Sequence, residues 1–70
     1  MDDILYTVEE TATLLKCNKG KVHDLIHHGL LKPLKLGRLK ITRYELLIFL
    51  KKYSGFDLTD LENIKEIINS

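Results

Sequence analysis

The side chains best able to do chemistry crowd into one stretch, Asn18 to Gly29, N-K-G-K-V-H-D-L-I-H-H-G. His23 and His27 stand at i and i+4, a spacing that puts two imidazoles on one helix face, where they can share a metal ion. Cys17 and His28 are close in sequence. A zinc site needs three or four converging ligands, however, and the single thiol suits a small apolar core position better. His23 beside Asp24 also offers the materials of acid–base catalysis. No nucleophile with a third orienting group accompanies them, and a chain of 70 residues leaves little room for a deep pocket. No phosphate-loop or dinucleotide fingerprint is present. The sequence therefore points away from an enzyme, a metal site and a cofactor. What remains is hydrogen-bond donation from a helix face, the chemistry of a DNA major groove.

On that reading Asn18, Lys19, Gly20, Lys21, His23, Asp24 and His27 are the groove candidates. Lysine can donate to guanine edges, and Asp24 can accept from cytosine N4. An anionic Asp24 repels phosphate, so it implies selectivity or pairing with Lys21 or His28. The plain alternative is a solvated helix face. Gly20 costs a helix roughly 1 kcal/mol relative to Ala; it reads either as a close approach of backbone to DNA or as a weak first turn.

The elements that must hold this face are legible on either side. Asn18 is a good N-cap and Gly29 a good stop, while Val22, Leu25 and Ile26 share the buried stripe. Before it, Thr7-Val8-Glu9-Glu10 is a T-x-x-E capping box that starts a helix at Val8 and carries it to about Lys16. Val8, Thr11, Ala12 and Leu15 form its inner face, with Leu14 alongside. Two short helices joined this tightly make a helix-turn-helix. Ile4, Leu5 and Tyr6 add a short strand or cover the core edge. After Pro33, the run L-K-L-G-R-L-K-I reads as a hairpin with a two-residue turn at Gly37-Arg38. That register sets Leu36 opposite Leu39, Lys35 opposite Lys40 and Leu34 opposite Ile41, with all four aliphatic residues on one face. The two facing lysines repel unless a phosphate lies between them. Lys35, Arg38, Lys40 and Arg43 are thus candidates for phosphate or minor-groove contact, although Arg43, early in a helix, can pair with Glu45 instead.

Thr42-Arg43-Tyr44-Glu45 is a second capping box, opening a helix from Arg43 to about Tyr53 with Leu46, Phe49, Leu50 and Tyr53 inward. Leu47 and Ile48 widen that stripe beyond what one small core requires. Thr59-Asp60-Leu61-Glu62 predicts a last helix from Asp60 to about Ile68, its apolar face Leu61, Ile64, Ile67 and Ile68. This helix either covers the preceding one or pairs with its counterpart in a second copy. The intramolecular packing is favoured, since an exposed stripe is an association site. The division is residues 1–53 as the DNA-binding unit and 54–70 as the C-terminal helix.

The net charge of +1 hides a segregation. Residues 1–15 carry −4, residues 16–52 carry +8 and residues 53–70 carry −3. A basic centre between acidic ends is the pattern of a polyanion binder. The longest apolar run, Leu46 to Leu50, is far too short to span a membrane. The acidic opening M-D-D-I-L lacks the basic region of a signal peptide, and one cysteine excludes an internal disulfide, so a cytoplasmic, nucleoid-associated protein is expected.

In this order the elements resemble a family. Tyr6-Thr7-Val8-Glu9-Glu10-Thr11-Ala12 with Leu14-Leu15, then Val22, Leu25-Ile26, Gly29, Lys35-Leu36-Gly37-Arg38, Ile41, Arg43, Leu46 and Phe49-Leu50, are similar to the excisionase-family winged-helix domains, relatives of the DNA-binding part of MerR-type regulators. The likeness covers roughly Tyr6 to Leu50. It implies a mainly α winged helix-turn-helix with a small β-hairpin, here with an extra C-terminal helix, that binds double-stranded DNA. It also implies a role as accessory factor in excision of a mobile element with an integrase (a tyrosine recombinase). A transcriptional regulator of a mobile element, or a protein-interaction module working through Leu47, Ile48 and the last helix, are the alternatives. Self-association on DNA through that helix is a further expectation. The chain departs from the pattern at Lys16, where glycine is frequent, at Asn18, Gly20, Lys21, His23 and Asp24, and at Leu39 in a shortened wing.

Overall fold

Helix starts and stops in this chain are written by a few hydrogen bonds, and the fold follows from them. The computed structural model describes residues 4–67. The order is β1 (Leu5–Thr7), α1 (Val8–Leu15), α2 (Lys19–His27), β2 (Leu34–Leu36), β3 (Arg38–Thr42), α3 (Arg43–Tyr53), β4 (Phe56–Asp57) and β5 (Lys65–Glu66). The first six elements make a winged helix-turn-helix, as the sequence predicts.

At the start of α1 the Thr7 hydroxyl accepts from the Glu10 amide at 3.0 Å, and the Glu10 carboxylate accepts from the Thr7 amide at 2.9 Å. Two donors that the helix cannot satisfy internally are thereby paired. The helix closes with the Cys17 amide on the Ala12 carbonyl (2.9 Å) and the Lys16 amide on the Thr13 carbonyl (3.1 Å). This is a Schellman closure, and it requires a left-handed residue, here Lys16 at φ 58°. Helix α2 ends in the same way: the Leu30 amide reaches the Leu25 carbonyl (2.9 Å), the Gly29 amide reaches Ile26 (3.0 Å), and Gly29 has φ 77°. Its start is capped by Asn18, whose side-chain oxygen accepts from the Lys21 amide at 2.8 Å.

Strand β3 is central in the three-stranded sheet, with β1 and β2 antiparallel on either side. The optional strand expected over Ile4, Leu5 and Tyr6 is thus formed, at Leu5–Thr7. The core gathers Ala12, Val22, Leu25, Leu31, Ile41, Leu46 and Phe49 from helices, sheet and the loop after α2. Val22 and Ile41 are fully buried, which stabilises the fold by roughly 1.5–3 kcal/mol for each such side chain. Thr11 is equally buried, its hydroxyl donating to the Thr7 carbonyl at 2.8 Å. Leu31 was not singled out by periodicity because it lies in a loop, yet it is fully buried. Leu14 and Leu50 lie about half exposed at the edges of their stripes, as do Leu47 and Ile48.

Two expectations are corrected. The hairpin reverses about Gly37 alone (φ 75°), so the register is Leu34 with Lys40, Lys35 with Leu39 and Leu36 with Arg38. Opposite residues share a face. Lys35 and Lys40 are therefore not opposed, and Leu34 and Leu36 leave the core face and stand exposed beside Lys40 and Arg38. Pairing of β1 with the other edge of β3 fixes Ile41 inward against Tyr6, and the tight reversal decides the rest.

The second correction is the C-terminal helix, which is absent among the described residues; Ile68, its last predicted residue, lies outside them. Competing side-chain bonds explain this. The Glu62 amide, which Thr59 was to cap, is taken by Asp60 Oδ1 at 3.1 Å, and the Thr59 amide by Asp57 Oδ1 at 2.9 Å. Such aspartate turns stabilise bends over helix. The chain instead returns as a two-stranded ribbon, β4 with β5, closed by the Ile67 amide on the Gly55 carbonyl at 2.7 Å. Leu58 and Leu61 pack against the core, and Phe56 stacks edge-on to Tyr53 at 6.0 Å. Residues 56–67 thus form a strap on the same body, and the helix proposed to mediate association is not formed there.

Candidate nucleic-acid interface

A helix turns 100° per residue, so side chains at i, i+4 and i+8 make one stripe and those at i, i+3 and i+7 another. On α2 the first stripe is Lys19, His23 and His27, and the second is Lys21, Asp24 and His28. The structure gives these stripes different neighbours.

Lys19 and His23 face the hairpin. Together with Arg38, Leu39 and Lys40 of β3 and Thr7, Val8 and Glu9 at the start of α1, they line an open groove of about 350 Å³. Cations from two parts of the sequence are brought to one surface in this way. The α1 contribution was not anticipated; its only advance signal was the capping box, which places Glu9 in an exposed first turn. The Lys19 ammonium lies 4.0 Å from the Glu9 carboxylate, with both side chains well exposed. A pair of this kind is worth at most about 1 kcal/mol. His27 is exposed and stacks edge-on to His28 at 5.8 Å.

Lys35, Arg43 and Gly20 are not among the residues lining this groove. Lys35 is exposed on the hairpin face shared with Leu39. Arg43 is half-buried at the start of α3, its amide donating to the Ile4 carbonyl at 2.9 Å. Gly20 is exposed, and a methyl group there would meet only the Asn18 side-chain oxygen at 3.4 Å, an ordinary contact. Asn18 is occupied as the cap of α2.

The second stripe faces the strap. Lys21 Nζ donates to the Leu58 carbonyl at 2.6 Å and to the Thr59 carbonyl at 3.4 Å. Lys21, Asp24 and His28 border a hollow of about 280 Å³ whose far side is Thr59, Asp60, Leu61 and Glu62. Asp24 does not pair with His28 through its carboxylate; instead His28 Nδ1 lies 2.9 Å from the Asp24 backbone carbonyl. The Asp57 carboxyl is held below its ordinary value of 3.8, first by the hydrogen bonds from Thr59 and then by the charges of Lys65 and Lys21. Sequence spacing gave no sign that Lys21 would be engaged 37 residues away.

Among the described residues no group of three His, Cys, Asp or Glu side chains is placed to hold a metal ion. Cys17 is a free thiol, half-buried against the core. No described helix is long and apolar enough to cross a membrane.

A family model described as a helix-turn-helix domain matches residues 5–54. No curated protein and no solved structure matches the chain.

Proposed function

The chain belongs to the helix-turn-helix family of excisionase-like DNA-binding domains, and from that premise we propose how it engages DNA and to what end. Helix α2 enters the major groove of duplex DNA, with Lys19, His23 and His27 toward the bases. Arg38 and Lys40 of the hairpin take the adjacent phosphates, and Lys35 and Arg43 extend that backbone contact. Gly20 lets the first turn of α2 come close, while Asn18 holds that turn in place. The observation that carries this reading is the shared groove, in which cations of α2 and of the hairpin lie on one surface. Lysine and arginine on two separate elements, both facing outward, match the geometry of a helix in the groove and a wing on the backbone.

The biological role we infer is that of an accessory factor in excision of a mobile element, acting beside an integrase. A single module of this size buries on the order of 600–1,000 Å² on DNA, too little for unique addressing of a genome. Several copies on neighbouring sites, or a recombinase partner, would supply the remainder. Control of transcription on a mobile element uses the same contacts; a promoter-repression assay set against an excision assay separates the two.

The chemistry is tested by titrating a labelled duplex at several salt concentrations. About four to five phosphate contacts give a log–log slope of roughly −4. Replacing Lys35, Arg38 and Lys40 together by Ala weakens binding to every duplex sequence and reduces the slope by about 2 to 3. An unchanged affinity would refute the wing assignment, and a salt-independent interaction would favour a protein-interaction module.

A further inference from the structure

The matched family region ends at residue 54, and the strap lies beyond it. What it does is written in where it lies. Its backbone carbonyls at Leu58 and Thr59 hold Lys21 of α2, and Thr59 to Glu62 flank the stripe that carries Asp24 and His28. Lys21 is in the first turn of that helix, two residues from Lys19. It is the one α2 lysine whose ammonium is spent on backbone oxygens; among the described residues Lys19 has only its loose partner Glu9. The strap also brings carboxylates to this flank: Asp60 and Glu62 border the hollow that Lys21, Asp24 and His28 line. A phosphate approaching Lys21 therefore meets occupied donors and like charge.

We propose that residues 56–67 are an intramolecular competitor of DNA: the strap holds Lys21 in reserve and lowers affinity for duplexes that do not reward its release. The proposal rests on the DNA-binding reading above. Besides the Lys21 bonds its anchors are apolar, Leu58 and Leu61 against the core and Phe56 against Tyr53, so it can detach without breaking any element of the helix-turn-helix. Sites that engage Lys21 gain a contact; other sites encounter the Asp60 and Glu62 carboxylates beside the helix. The device acts on selectivity, because it penalises backbone attraction that is the same for every sequence.

The test uses the full chain. Leu58→Ser with Leu61→Ser releases the strap, which loss of the nuclear Overhauser contacts between Lys21 and Thr59 reports. Asp60→Asn with Glu62→Gln leaves it docked with the two carboxylates beside α2 neutralised. Lys21→Ala is made alone and in the release background. Each protein is titrated with a random-sequence duplex at low and moderate salt. The expected result is that release raises affinity about tenfold and steepens the salt slope by about 1, one recovered phosphate contact. Neutralisation raises affinity severalfold, and Lys21→Ala matters only after release. Equal or weaker binding by a variant that has lost the Lys21–Thr59 contacts overturns the proposal. If those contacts persist, unchanged affinity on neutralisation overturns it instead. A wild-type chain that fails to bind while the released one binds supports it strongly. Failure of both to bind any duplex refutes the DNA-binding reading itself.

Discussion

Lys16 and Gly29 do the same job with different side chains. Both occupy the left-handed position that closes a helix, at φ 58° and 77°. Glycine does so without steric cost, whereas a residue with a Cβ is destabilised there by roughly 1–2 kcal/mol. Lys16→Gly relieves that strain but loosens the unfolded chain, which takes back about 0.4–1 kcal/mol. The net expectation is a stabilisation of up to about 1.6 kcal/mol, read as a rise in the denaturation midpoint. A midpoint that falls would show that Lys16 contributes a contact that the closure geometry does not explain. This position was legible in advance, since the resemblance already places a frequent glycine there. The capture of Lys21 was not legible: a bond across 37 residues depends on where the strap lands, and no local pattern encodes that.

Elements whose termini are set by local hydrogen bonds were read well, and those set by competition were not. The Thr7 box and the Asn18 cap placed α1 and α2, and Thr42, whose hydroxyl accepts from the Glu45 amide at 3.1 Å, placed α3. The same box signature at Thr59 failed because Asp57 and Asp60, on either side of it, offer shorter routes to the same amides. The hairpin was found but slipped by one residue, since alternation marks strands without choosing between a one- and a two-residue reversal. The consequence can be measured. Leu36 is 60% exposed, so Leu36→Thr should change stability by no more than about 0.5 kcal/mol in a thermal or denaturant melt. A loss of about 2 kcal/mol or more, the scale of burying a leucine, would restore the register in which it faces the core.

For the whole molecule the arrangement of charge outweighs the total. A net charge of +1 says little about partners, yet the basic centre of the sequence folds so that α2 and the hairpin present it together, while Asp60 and Glu62 of the strap lie against the other flank of α2. The candidate site is thus divided along the helix axis into a stripe open to the groove and a stripe under the strap. That division follows from the helix period, which the sequence carries, combined with the path of the strap, which it does not. The most direct test of the shared cationic surface is a backbone amide chemical-shift titration of the full chain with a short duplex. The account predicts that Lys19, His23, Arg38 and Lys40 shift together and saturate at one duplex concentration. Shifts confined to Tyr44, Leu47 and Ile48 on the outer face of α3, with the groove residues unmoved, would contradict it.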